Sequence, residues 1–300
     1  VRLDTRSGVW YPVRMTVLDD LLAAYTKTLT APTDPRPAAY SAGLTAGYNQ
    51  GVIDGKASVT PTPPVVTTPP VTTTTAIPTG NVVSNGRTWM PKYSNDFTDT
   101  AALSKMSTYS GFKDTSGYGL YSPSKVLTVH DSYLDYYLHT ENGQPLVAAV
   151  MPDNYAPHAS ARVSIRYKSD AIPGYKFVGM LWPSSNQWVD GEIDWPEGDL
   201  NGKVRPAMEI VDGTTGKFLP KTEMFSATDQ SDWHVATTEW DSVKGTVSFY
   251  WDDKLITTVS QTVPTKPMRV TLQAETWIGQ GKPSATSAGH LLIDWIVVYE

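Results

Sequence analysis

From about Asn81 to Glu300 the chain is a succession of short runs rich in Val, Ile, Tyr, Phe and Trp, punctuated by Gly, Pro, Asn and Asp. Ala161–Tyr167, Lys176–Leu181, Thr246–Trp251, Met268–Gln273 and Leu291–Tyr299 are such runs. β-Branched and aromatic side chains suit a pleated, half-buried surface, and the punctuating residues suit tight turns. No long helical periodicity intervenes, which argues against a parallel sheet built from strand–helix–strand units. The expectation for residues 81–300 is all-β: a sandwich of two stacked antiparallel sheets.

The first third reads differently. Thr16 is a plausible N-cap, and Val17, Leu18, Leu21, Leu22, Tyr25 and Leu29 make one apolar helical stripe. After the Pro-rich break at Pro32–Pro37, Tyr40, Leu44, Tyr48 and Val52 recur every four residues, as do Gly43, Gly47, Gly51 and Gly55. Each glycine weakens an isolated helix by about 1 kcal/mol relative to alanine. That loss is better tolerated where small residues let a second helix approach. Residues 1–57 are therefore expected to form a small helical arm that self-associates or docks on a larger assembly, the alternative being a frayed arm. Residues 58–80 are almost entirely Thr, Pro and Val. Such a stretch buries no core and should be an extended spacer. One part of the chain then anchors and the other reaches.

Composition narrows the chemistry. With no cysteine there are neither disulfides nor thiolate metal sites. A formal charge of −6 argues against a nucleic-acid partner, because phosphate binding needs clustered Lys and Arg. No run approaches the roughly 18–20 apolar residues of a membrane-spanning helix. The stretch after Val1 lacks the pattern of a secretory signal, so either a signal has been removed or the protein reaches its place of action by another route. Five scattered histidines show no H-E-x-x-H spacing, and no G-x-S-x-G elbow occurs.

The segment Trp188-Val-Asp-Gly-Glu-Ile-Asp-Trp-Pro-Glu-Gly-Asp199 is the most informative. In a strand Glu192 and Asp194 share one face, and Ile193 and Trp195 share the other. Strict alternation sends Glu197 to the apolar side. One extra residue returns it, and Pro196, which cannot donate to a ladder, marks where a bulge belongs. Glu192, Asp194 and Glu197 are thus expected in one acidic row. Three carboxylates on one face repel and titrate as a coupled set. Glycosidic cleavage uses such a division of labour, with one carboxylate attacking the anomeric carbon and another protonating the leaving oxygen. The competing reading is a solvated strand face.

Glu192-Ile-Asp-Trp-Pro-Glu197 resembles the E-x-D-x-x-E signature of glycoside hydrolase family 16, the laminarinase and agarase clan of jelly-roll enzymes. Tyr93–Phe97 resembles the family's opening strand. Ala161–Arg166 with Pro173-Gly174 and Gly179–Trp182 resembles the lead-in to its catalytic strand. Trp233-His234 through Glu239-Trp240, Phe249–Asp253 and Ile293–Tyr299 resemble its later strands. The likeness covers roughly residues 88–300, and it implies that this region is a β-jelly-roll, which the helical arm and the Thr/Pro linker precede. Leu181-Trp-Pro183 combined with the acidic motif resembles a branch found in actinobacteria and their phages. Ala207–Val211 departs from the sugar-contacting strand of laminarinases, which leaves the glycan open.

What the resemblance implies is a retaining endo-β-glycanase with Glu192 as nucleophile, Asp194 tuning it and Glu197 as acid and then base. Its substrate would be a polysaccharide, β-1,3-glucan by default and β-galactan next. Trp182, Trp188, His234, Gln273, Glu275 and Trp277 would line the sugar cleft. Asp294 would hold a structural calcium, and catalysis needs no cofactor. Two other readings stand beside this one: a carbohydrate-binding adhesin that does not cut, and a phage tail or virion protein carrying the domain to a host surface. The place of action would be extracellular or virion-associated.

Overall fold

The computed structural model describes residues 76–211, 218–222 and 230–300, with two short strands nearer the start of the chain. The chain divides into two compact units, Val1–Thr68 and Pro69–Glu300. In the first, β1 (Arg2–Leu3) pairs antiparallel with β2 (Trp10–Tyr11). The helical stripes read between Thr16 and Gly55, and most of the Thr/Pro spacer, lie outside the described residues.

The regular secondary structure described in the second unit is nearly all strand. It opens with β3 (Val82–Ser84), β4 (Arg87–Trp89), β5 (Pro91–Asn95), β6 (Ser107–Thr108), β7 (Leu120–Tyr121) and β8 (Leu127–His130). Longer strands follow: β9 (Tyr133–Glu141), β10 (Gln144–Met151), β11 (Ala161–Ser169), β12 (Tyr175–Pro183) and β13 (Glu192–Asp199). The rest are β14 (Val204–Val211), β15 (Phe218–Thr222), β16 (His234–Asp241), β17 (Thr246–Trp251), β18 (Lys254–Val259), β19 (Met268–Thr276) and β20 (Gly289–Tyr299). Among the described residues no helix is long and apolar enough to cross a membrane.

The front sheet runs β15-β14-β13-β12-β19-β10 and the back sheet β9-β20-β11-β16-β17-β18. β10 belongs to both. Its first residues, Gln144–Leu146, pair with β9, and Ala148–Val150 pair with β19. The β9–β10 hairpin closes through Asn142 and Gly143, both at positive φ, the conformation a two-residue hairpin turn requires. One curled ladder therefore supplies both layers, a device that leaves fewer open edges.

Alternation fills the space between the layers. Phe177, Leu181, Ile193, Trp195, Met208, Val270, Leu272 and Ala274 from the front sheet meet Ile165, Tyr167, Ala236, Trp240, Phe249, Ile293 and Val298 from the back, all buried. A second, smaller cluster lies on the outside of the back sheet. There the β3–β4 hairpin lays Trp89 and Val82, with Ile77, over Val235, Trp295, Val297 and Tyr299. Asn85 Nδ2 donates to Glu239 Oε1 at 2.6 Å, and Arg87 pairs with Asp241 at 3.3 Å, which fixes the hairpin in place. Ile77, at the end of the stretch read as spacer, is part of this packing. Glu300 is held by buried His158, whose imidazole bridges Asp153 Oδ2 at 2.6 Å and Glu300 Oε1 at 2.7 Å.

Candidate active site

The acidic motif occupies β13, in the middle of the front sheet. On one side Leu181, Met180, Val178 and Phe177 of β12 pair with Ile193, Asp194, Glu197 and Gly198. Gly179 alone thus stands opposite both Trp195 and Pro196. On the other side Asp194 pairs with Ala207 and Glu197 with Arg205, so Pro206 also faces that pair of residues. This is a bulge of one residue, placed where Pro196 removes a ladder donor, and the Trp195–Pro196 peptide is cis.

Three contacts hold the bulge. Ile193 and Trp195 point into the core, and Trp195 Nε1 donates to the Tyr250 carbonyl of the back sheet at 2.8 Å. The Trp195 ring lies 5.5 Å from that of Trp251, edge to face. Gly179 makes the room: a Cβ there would come within 2.7 Å of the Trp195 carbonyl and of Ile165 Cδ1. With Trp195 pinned inward and one extra residue inserted, Glu197 returns to the outer face beside Asp194.

The registers extend that face across two more strands, β12 and β19. Asp194 shares a row with Met180 and Thr271, and Glu197 with Val178 and Gln273. Lys176 lies beside Glu275 in the row that includes Asp199. Asp194, Glu197, Gln273 and Glu275 are each less than 10 % exposed, whereas Glu192 is partly open.

The repulsion expected among these carboxylates is met by two cations that sequence reading did not single out. Lys176 Nζ lies 3.6 Å from both Glu197 Oε1 and Glu275 Oε2. Burial opposes its charge, but Glu275, Glu197, Asp194 and Glu192 together outweigh burial and push its pKa up to about 12. Arg205 Nη2 approaches Glu197 Oε2 to 2.6 Å, as an ion pair rather than an aligned hydrogen bond. A signal for Lys176 existed: it shares the face of Val178, Met180 and Trp182 on a strand whose neighbour carries the acids. Arg205 gave none, because its pairing depends on the length of the β13–β14 turn.

Glu275 is tied closely into the fold. It accepts from Thr115 N at 3.2 Å, Thr115 Oγ1 at 2.9 Å and Gln273 Nε2 at 2.9 Å, and from the Tyr121 hydroxyl. Burial, and then Glu275, hold the Tyr121 phenol well above its ordinary value, so it remains a donor. Gln273 Nε2 also reaches Tyr121 Oη at 2.6 Å. Glu275 thus has a structural occupation in addition to any sugar contact.

The other expected residues divide. Trp182 is partly exposed at the end of β12, and Trp188 is 41 % exposed in the short turn before β13. Trp277 lies beyond β19, which ends at Thr276, and its N–H donates to the Gly174 carbonyl at 2.8 Å. His234 is on the back sheet, stacked 4.5 Å over Trp251 and 2.8 Å from Asp252, and it is not brought to the carboxylate row. Asp294 is ion-paired with Arg166. Among the described residues no three His, Asp or Glu side chains group as a metal site requires.

No protein-family model and no curated protein matches the chain by sequence. Solved structures match by fold. LamAcat from Zobellia galactanivorans is 18 % identical with a TM-score of 0.57, over 70 % of this chain and 97 % of that one. The endo-β-1,3-glucanase from Pyrococcus furiosus is 15 % identical with a TM-score of 0.60, over 75 % and 98 %. SCLam, a non-specific endo-β-1,3(4)-glucanase from family GH16, is 14 % identical with a TM-score of 0.59, over 74 % and 95 %. The described fold is the jelly roll of the glycoside hydrolase family 16 type.

Proposed function

We propose that the β-sandwich hydrolyses a β-linked polysaccharide with Glu192 and Glu197. The observation that carries this is the bulge at Trp195–Pro196, which sets three carboxylates on one outer face of the front sheet. In the proposed reaction Glu192 attacks the anomeric carbon while Glu197 gives its proton to the leaving glycosidic oxygen. Glu197 then takes a proton from water, which displaces Glu192 and leaves the product with its original configuration. Asp194, between them, orients and tunes Glu192. Trp182 and Trp188 would stack on sugar rings at the Glu192 end.

The fold neighbours named for β-1,3-glucan cleavage make that linkage the first substrate to try, with β-galactans second. Action inside a long chain, in an extracellular or virion-borne setting with residues 1–57 as the attachment, completes the proposal. One observation favours a second reading, a glycan-binding domain that does not cut. Both oxygens of Glu197 face cations, Lys176 on one side and Arg205 on the other. Incubating a panel of β-glucans, β-galactans and cell-wall polysaccharides with wild type, Glu192→Gln and Glu197→Gln separates the two. Hydrolysis predicts reducing ends from wild type and none from either variant. Retention of the polymer without shortening is the result of the binding reading.

A further inference from the structure

The outer face of the front sheet carries three cations among the described residues: Lys176, Arg205 and Arg269. Two are matched by carboxylates, Lys176 by Glu197 and Glu275, and Arg205 by Glu197. Arg269 is not. It lies in β19 on the same face as Thr271, Gln273 and Glu275, since Val270, Leu272 and Ala274 between them fill the core. It is 5 % exposed, and among the described residues no Asp or Glu pairs with it. Its guanidinium makes two long hydrogen bonds, to the Pro183 carbonyl at 3.4 Å and to Tyr109 Oη at 3.3 Å, and Nε has no partner. Two residues on, Thr271 is 1 % exposed and its hydroxyl also has no partner.

A charge taken out of water without a counter-charge is expensive, and an unmatched hydroxyl beside it adds to the deficit. Both groups can donate, and together they ask for an anionic acceptor. Arg269 pairs with Trp182, and extending the β12–β13 register by one residue sets Glu192 opposite Trp182. The guanidinium strand is therefore two strand spacings, about 10 Å, from the strand of Glu192. Tyr155, 41 % exposed, lies over Arg269 with the guanidinium 5.1 Å from its ring centre. Tyr155 and Asn154 both have positive φ, an uncommon conformation for bulky residues, so the segment that covers Arg269 is a tight turn rather than regular strand.

We infer that Arg269 and Thr271 form a subsite for an anionic substituent, a carboxylate or a sulfate, on the sugar bound beside Trp182. The substrate is then an acidic β-glycan rather than a neutral one. This rests on the proposed sugar-binding role of the face, and it is tested by binding so that cleavage does not enter. Glu192→Gln protein is titrated calorimetrically with unsubstituted laminarin and β-galactan and with carboxymethylated and sulfated derivatives of each. Charge-assisted hydrogen bonds of this kind predict a preference of at least about tenfold for an anionic derivative. The carboxymethyl and sulfate arms tell which anion is read. Adding Arg269→Met should abolish the preference, Arg269→Lys should keep part of it, and Thr271→Val should reduce it. Equal affinity for neutral and anionic polymers, or a preference that survives Arg269→Met, overturns the inference. Should Arg269→Met fail to fold, the preference of the Glu192→Gln protein and the added Arg269→Lys and Thr271→Val pair decide it. Failure of wild type to cut a polymer it binds with that preference would sink the hydrolase reading and leave this subsite standing.

Discussion

Replacing Gly179 by alanine probes the bulge with a single methyl group. A Cβ at this position meets Ile165 Cδ1 and the Trp195 carbonyl at 2.7 Å, and Pro196 Cδ at 3.2 Å. The isoleucine methyl is the end of a flexible side chain and can turn away. The Trp195 carbonyl is the backbone of the bulge, and Trp195 is held from below by its hydrogen bond to Tyr250. To reach ordinary contact, about 3.4 Å, the carbonyl must retreat by about 0.7 Å, and Glu197, two residues on, moves with it. Overpacking of this kind costs about 1–3 kcal/mol. For a domain of this size that lowers the melting temperature by about 2–12 °C. Displacing a reacting group by a sizeable fraction of an ångström should cut hydrolysis at least about tenfold. The assay is a thermal melt together with reducing-end release on the best polymer. Gly80→Ala, where the methyl meets nothing within 4 Å, is the control and should change neither. A Gly179→Ala protein with wild-type melting and wild-type rate would refute the claim that this contact sets the position of Glu197.

Other outcomes follow from the same structure. Lys176→Met removes the cation shared by four carboxylates and should destabilise the fold by about 3 kcal/mol or more in a denaturant titration, with partial recovery in Lys176→Arg. His158 has its pKa raised: burial opposes the charge, but hydrogen bonds to Asp153 and Glu300 prevail. A raised histidine adds stability that is complete below the ordinary value of 6.5 and is lost as pH climbs through the folded value. His158→Gln should therefore lose most relative to wild type near pH 6 and much less near pH 9, and a gap that widens with pH would contradict this. Trp89→Ala opens the cluster on the back sheet and should lose about 3–5 kcal/mol of stability, with faster hydrogen exchange in residues 82–89.

The sheet positions were legible because each depends on nearby residues. Thr246–Trp251 is a strand over the span its composition suggested, and Met268–Gln273 and Leu291–Tyr299 each extend by two or three residues. The bulge was legible for the same reason: Pro196 falls where alternation must break. What could not be read depends on register between distant segments. Lys176 meets Glu197 and Glu275 through three strands, and Arg205 meets Glu197 across a turn whose length no composition fixes. Trp277 was expected to line the sugar cleft with Gln273 and Glu275, but β19 ends at Thr276, and Gly279 and Gly281 follow at positive φ. His234 was placed by resemblance. In the fold its ring covers Trp251 at the margin of the back sheet, where Asp252 fixes it.

The pairing of Glu192 with Glu197 is tested most directly by trapping the intermediate. Glu197→Gln is mixed with an aryl β-glycoside of the sugar that the polysaccharide panel identifies, whose leaving group needs no proton, and the protein is digested for mass spectrometry. Double displacement predicts one glycosyl mass on the peptide containing Glu192 and its disappearance in the double variant with Glu192→Gln. An unmodified Glu192 peptide after the aryl group has been released, or a label on another carboxylate, would contradict it.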